Sequence, residues 1–234
     1  MIKFIKVCLR GGQMPPILYY IKPSPPCRAI LLLGRILELE FDLKQVNIME
    51  KEHMKPEFLN MNPQHCLPTI NDSGLVLWES RAILAYLVAA YGKDDSLYPA
   101  DIRTRALIDQ RLQFDLGTLY QRTTDFFWPT IFMGAPLDET KKAKLAEALY
   151  WLDTILKGRT FLATDNFTIA DLSLTVTVSQ IEVLGFQMGP YPRVRAWLQK
   201  CKDYLEPYGY DEINQTGADI LAEMYFSKLQ KTGN

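Results

Sequence analysis

Across Gly92–Pro99, "GKDDSLYP", the chain changes its hydrophobic period. Before this polar, proline-ended stretch the apolar segments are short and varied. "PILYY" (16–20) reads as a strand and is followed by a helical segment from about Pro26 to Leu39. "FDLKQVNI" (41–48) alternates at period two, as a half-buried strand does. "LPTIN" and "LVLW" flank Asp72-Ser73-Gly74, which predicts a β-hairpin, and a helix is expected from about Glu79 to Tyr91. After the linker only long 3.6-period segments remain. A mixed α/β unit followed by an all-helical one is the arrangement this switch permits. The boundaries predicted are an N-terminal extension over 1–14, an α/β domain over 15–92, a linker over 93–99 and a helical domain over 100–234.

In the helical part, "ADIRTRALIDQRLQFDLGTLYQRTTDFF" reads as one long helix, broken or kinked at Pro129. "DETKKAKLAEALYWLDTILKG" reads as an amphipathic helix ended by Gly158. "FTIADLSLTVTVSQIEVLG" opens with Thr168 and Asp171 at capping-box spacing, with Phe167 and Leu172 placed as a hydrophobic staple. It is apolar on nearly every face, which predicts the buried central helix of this half. "PRVRAWLQKCKDYL" and "DEINQTGADILAEMYFSKLQK" complete the bundle.

A formal net charge of -1 gives no basis for binding nucleic acid or an anionic membrane. No apolar run approaches the roughly 18 residues that span a bilayer. "MIKFIKVCLRGGQM" scatters Lys3, Lys6 and Arg10 among its apolar residues, unlike a secretory signal, and is expected to be a poorly ordered extension. Cys8, Cys27, Cys66 and Cys201 form no C-x-x-C pair, and with His53 and His65 they make no familiar zinc spacing, so reduced thiols and no metal are expected.

The stretch "YYIKPSPPCR" (19–28) lies at a strand-to-helix turn where paired cysteines would form a thioredoxin-like redox site; Ser24 stands at the first position and only Cys27 remains. Together with "EHMKPEFLNMNPQHCLPTI", "LWESRAILAYLVAAYGKDDSLYP" and "FTIADLSL", it resembles in order and spacing the arthropod delta and epsilon glutathione S-transferases, closer to delta, over about Pro16 to Phe226. The resemblance implies a thioredoxin-like N-terminal domain, an all-α C-terminal bundle, a cytoplasmic homodimer, and glutathione as co-substrate. It also implies that the thiol arrives with the tripeptide and is activated by Ser24. A hydroxyl donating to sulfur favours the charged form, and a helix N-terminus does the same. Tyr20 is the competing activator; Cys27 reads as a buried structural thiol.

The resemblance distributes the rest of the glutathione site. Glu79 faces the γ-glutamyl ammonium, while Ser80 and Arg81 face its α-carboxylate; the residues alone would equally make an acidic, capped helix start. His53 and His65 face the glycyl carboxylate, and Asn62 shapes their loop. A cis Leu67–Pro68 bond would present the Leu67 backbone to the cysteinyl unit. Asp115 is expected near the neighbouring subunit's site with Arg81, against the simpler alternative of a helical pair with Arg111. Tyr120, Thr123, Trp128 and Phe226 are the expected electrophile pocket, with Thr123 standing where delta relatives often carry an aromatic. The function implied is conjugation of glutathione to hydrophobic electrophiles. The alternative is a carrier of glutathione or an apolar hormone-like ligand without significant turnover.

Overall fold

The computed structural model describes residues 14–232. The expected extension therefore lies, apart from Met14, outside the described residues.

The first unit comprises β1 (Ile17–Tyr20), α1 (Pro25–Leu37), β2 (Asp42–Gln45), α2 (Pro56–Met61), β3 (Thr69–Asp72), β4 (Leu75–Leu77) and α3 (Ser80–Tyr91). The sheet order is β2-β1-β3-β4; β1 and β2 are parallel, and the other pairs are antiparallel. Leu18 and Tyr20 of β1 turn into the core, where α1 supplies Cys27, Ile30 and Leu33 and α3 supplies Ile83, Leu84 and Leu87. On the alternate positions Tyr19 meets Phe58 of α2 edge-to-face at 5.7 Å. This is the thioredoxin-like architecture.

The hairpin forms where expected. Ser73 (φ 53°) and Gly74 (φ 97°) both take left-handed backbone, as a two-residue turn between twisted strands requires. The second strand is shorter than its alternation suggested. It lies at the sheet edge with only the four-residue β1 to pair, and Asp42 and Lys44 form an exposed ion pair along it. The linker is fastened in place. Leu97 is buried, and its carbonyl accepts a hydrogen bond from the Ile169 amide at 3.0 Å.

The helical unit runs through α4 (Ile102–Phe114), α5 (Gln121–Met133), α6 (Glu139–Ile155), α7 (Ile169–Val183), α8 (Pro192–Leu205) and α9 (Thr216–Thr232). Helices α4 and α5 are joined by a widened π-type turn over Asp115–Tyr120, and this, with Pro129 tolerated inside α5, is where the long helix departs from regularity. Every residue of α7 from Ile169 to Ile181 is buried. Two of its hydroxyls turn back on the helix: Thr175 donates to the Asp171 carbonyl at 2.6 Å and Ser179 to the Val176 carbonyl at 3.2 Å. The capping box closes, with the Thr168 amide donating to Asp171 Oδ2 at 3.0 Å. Gly158 takes φ 72° just beyond α6. At the other end of α6, the Asp138 carboxylate caps the amides of Thr140 (2.8 Å) and Lys141 (3.2 Å). Asp138→Ala is expected to cost about 1 kcal/mol, read as a lower urea midpoint with unchanged slope.

Candidate functional site

Strand register brings the candidate residues to one end of the sheet. Ser24 follows the C-terminal end of β1. Parallel pairing sets Gln45 beside Tyr20, so the segment carrying His53 leaves β2 at that same end. Antiparallel pairing sets Thr69 beside Tyr19, so Pro68 and the loop bearing His65 enter β3 there. Leu77 of β4 lies opposite Ile70 and runs out toward Glu79 and Ser80. Topology therefore gathers residues 24, 53, 65, 67, 68, 79 and 80.

Ser24 is the N-cap of α1, with Pro25 and Pro26 as the first two helical residues. The prolines fix the helical φ and hold Ser24 extended, at ψ 119°. They also remove two amide donors, so the hydroxyl is the more important donor at this helix end. That hydroxyl makes no capping bond and is half-buried. Cys27 is wholly buried, and burial pushes its thiol up to about 11 despite the Ser24 side chain and Ile21 backbone, which favour the anion. Cys27 is therefore a neutral core group near pH 7.

On the neighbouring loop the His53 and His65 rings lie 5.8 Å apart, and His53 Nδ1 is buried with no partner. His65 is exposed and held at φ 45°. Asn62 has no exposed surface. Its amide donates to the Cys66 carbonyl (3.2 Å) and Thr69 hydroxyl (2.9 Å) and accepts from the Gln64 amide (2.9 Å). It holds the loop in shape and does not face a ligand. The Leu67–Pro68 bond is cis.

Glu79 is exposed and sits at φ 67°, ψ 98°, outside the regions a non-glycine residue readily adopts. Such a conformation persists where the surroundings impose it, often at ligand sites. Behind it, the Arg81 guanidinium donates to Asp115 Oδ2 from Nε (3.2 Å) and Nη2 (2.6 Å), and to the Ser80 hydroxyl from Nη1 (2.9 Å). Ser173 donates to the same Asp115 oxygen at 2.6 Å, and Arg81 lies 5.0 Å from the Tyr120 ring centre. Two expectations need correction here. Asp115 is 0% exposed within its own chain, so its carboxylate cannot reach a neighbouring subunit. The helical pair with Arg111 is not formed either, because Arg111 donates to the Leu162 carbonyl and Gln110. Asp115 holds Arg81, and Arg81 is turned inward, touching the ligand side only through Ser80.

The aromatic residues separate into two groups. Tyr120, Trp128 and Phe132 form one array, with ring centres 6.4 and 6.1 Å apart. Burial pushes the Tyr120 hydroxyl up to about 12, so it stays protonated. Phe132 is 44% exposed at the end of this array and belongs with the pocket candidates; its ring type and spacing from Trp128 were the available signal. Thr123 is 1% exposed, and its hydroxyl donates back to the Leu119 carbonyl at 2.7 Å, so it does not open the pocket. Phe226 has other neighbours. A Cβ added to Gly185 would be 3.6 Å from its ring, and it abuts Tyr225, which packs on Phe127. It is 42% exposed, and no ring contact joins it to Tyr120, Trp128 or Phe132.

Among the described residues, no group of three or more His, Cys, Asp or Glu could hold a metal, and no helix is long and apolar enough to cross a membrane.

The family description "Glutathione S-transferase, N-terminal domain" matches residues 14–89, and "Glutathione S-transferase, C-terminal domain" matches residues 121–200. Glutathione S-transferase D7 of Anopheles gambiae is 62% identical over 218 residues, 93% of this chain and 100% of that protein. Among solved structures, the Bombyx mori glutathione transferase BmGSTD1 superposes with a TM-score of 0.89 at 53% identity, covering 90% of this chain and 98% of that one. A delta-class glutathione transferase of Nilaparvata lugens gives a TM-score of 0.88 at 44% identity, covering 92% and 100%. With both domain descriptions and these relatives in agreement, the chain belongs to the glutathione S-transferase family and counts insect delta-class enzymes among its homologues.

Proposed function

We propose that the protein conjugates glutathione to hydrophobic electrophiles, with Ser24 activating the thiol. The observation that carries this reading is the convergence of Ser24, His53, His65, Leu67 and Glu79–Ser80 at one sheet end, beside a serine hydroxyl not engaged in capping. Ser24 donates to the sulfur and holds it as thiolate. The thiol proton leaves to solvent. The sulfur lone pair then forms the bond to an electrophilic carbon, whose leaving group departs with its electron pair. Glu79 pairs with the γ-glutamyl ammonium, the Ser80 hydroxyl and the start of α3 take the adjacent carboxylate, the Leu67 backbone pairs with the cysteinyl unit, and the two imidazoles take the glycyl carboxylate. Tyr120, Trp128 and Phe132 offer the apolar surface for the electrophile.

A homodimer in a cytoplasmic setting fits this reading. Leu75 on edge strand β4 and Ile102 and Leu107 on α4 are exposed apolar side chains suited to a partner, and Cys27, Cys66 and Cys201 are free thiols of the kind a reducing compartment maintains. Light scattering at micromolar concentration should give twice the chain mass; a monomer with full activity would remove the dimer from the account. A steady-state assay with glutathione and a chloronitrobenzene tests the function itself. Turnover is expected, whereas binding of glutathione without turnover would favour the carrier.

The Arg81–Asp115 pair gives a second prediction. Asp115→Asn keeps the shape but removes the charge that fixes Arg81, and through it Ser80. The KM for glutathione should rise by about tenfold, the equivalent of one weakened charge-assisted hydrogen bond, with helix content unchanged. An unaltered KM would reduce Asp115 to a packing role.

A further inference from the structure

Arg81 stands between the two halves of the candidate site. It is buried, and all three guanidinium nitrogens are engaged: Nε and Nη2 donate to Asp115 Oδ2 (3.2 and 2.6 Å), and Nη1 donates to the Ser80 hydroxyl (2.9 Å). The Ser173 hydroxyl fixes Asp115 in turn, at 2.6 Å. With its nitrogens held in this way, the guanidinium carbon lies over the Tyr120 ring, 5.0 Å from the centre. That is within the range of cation–π attraction.

The backbone puts both partners there. Asp115 opens and Tyr120 closes the π-type turn between α4 and α5. At 3.6 residues per turn, two residues five apart point about 140° away from each other around the axis. An i→i+5 turn instead stacks them, as i and i+4 are stacked in an α-helix. The widened turn therefore lets one arginine hold a carboxylate and an aromatic ring of the same segment. Beyond Tyr120 the rings continue outward: Trp128 meets it edge-to-face at 6.4 Å, Phe132 meets Trp128 at 6.1 Å, and Phe132 is 44% exposed. Toward the proposed glutathione end the arginine reaches only Ser80, at the start of α3. One buried cation thus supports a hydroxyl on one side and the innermost ring of the pocket on the other.

We propose that Arg81 is a positioning residue for the electrophile pocket as well as for glutathione: held by Asp115, it steadies the Tyr120 ring on which the pocket is built. The inference deepens the proposed function and rests on its placing of Ser80 and Tyr120 in the two subsites. The test replaces the ion pair by a neutral pair of similar shape, Arg81→Gln with Asp115→Asn, so that no buried charge is left alone. The pair is made with Tyr120, with Tyr120→Phe and with Tyr120→Leu. Equilibrium dialysis then reads the binding of a chloronitrobenzene and, separately, of S-methylglutathione, which has no thiol to react. With a ring at position 120, as Tyr or Phe, the neutral pair should weaken chloronitrobenzene binding about threefold, the size of a modest cation–π contact. With Leu at that position the pair should leave chloronitrobenzene binding unchanged, while S-methylglutathione binding weakens in every background through Ser80. Absent chloronitrobenzene binding, or an unchanged constant with the ring present, overturns the proposal. An equal loss in the Leu background also overturns it, because general loosening would then be the cause. If the neutral pair does not fold, Tyr120→Leu decides alone. The ring also steadies Arg81, so S-methylglutathione should bind Tyr120→Leu about threefold more weakly than Tyr120→Phe, and equal affinities overturn the proposal. A wild-type protein that does not bind S-methylglutathione would sink the glutathione reading, whereas the ring-dependent change in chloronitrobenzene binding is read without it.

Discussion

Replacing Ser24 with alanine should lower kcat by about 10²-fold, the scale on which single catalytic hydrogen-bond donors act, with little change in glutathione affinity. The asymmetry follows from geometry. In the proposed arrangement the loops after β2, before β3 and after β4 grip the tripeptide along its length, while Ser24 touches only the sulfur. With Pro25 and Pro26 lacking amide hydrogens, no neighbouring backbone donor from those positions can substitute for the hydroxyl. Tyr20 is the rival, and it is a core residue 9% exposed. Tyr20→Phe should therefore leave the rate within a few-fold, on the scale of a neutral hydrogen bond at most. A near-neutral Ser24→Ala together with a crippled Tyr20→Phe would reverse the assignment.

Asp171→Ala should produce the largest loss of stability. This carboxylate is 0% exposed and accepts four hydrogen bonds: from the Leu162 amide (2.9 Å) and Trp197 indole (2.9 Å) on one oxygen, and from the Thr168 amide and hydroxyl (3.0 Å each) on the other. It ties the start of α7, the segment before it and α8 to one point. Removing it leaves several buried donors unsatisfied, at about 1–3 kcal/mol each before relaxation. A net loss of about 3–5 kcal/mol is expected, which lowers the melting temperature of a chain this size by about 10 °C or more. Asp171→Asn keeps one acceptor oxygen but turns an amide toward the Thr168 donors, so it should fall between wild type and alanine. Equal melting temperatures for Asp171→Ala and wild type would show that the box is dispensable.

Features governed by neighbours in sequence were legible without coordinates. The Asp72-Ser73-Gly74 turn, the Thr168–Asp171 box and the Gly158 stop each rest on local backbone chemistry, and each formed where expected. Features set by distant partners were not. Asp115 pairs with Arg81, 34 positions away, although Arg111 stands at helical spacing. Thr123, placed in the pocket by the resemblance, is buried, with its hydroxyl turned back on the Leu119 carbonyl. Phe226 lies on a helix whose phase and docking no local signal fixes. Arg28 is enclosed by Asn214 and Gln180, 186 and 152 positions away, through tertiary packing alone.

Titrating the thiolate absorbance of glutathione bound to the wild-type protein shows whether the sheet end beside Ser24 holds the tripeptide as a thiolate. The bound thiol should have a pKa at least one unit below the value of about 8.5 for a free cysteine thiol, rising toward that value in Ser24→Ala. Bound glutathione that titrates at the free value in the wild-type protein, unchanged by removal of the hydroxyl, would contradict it.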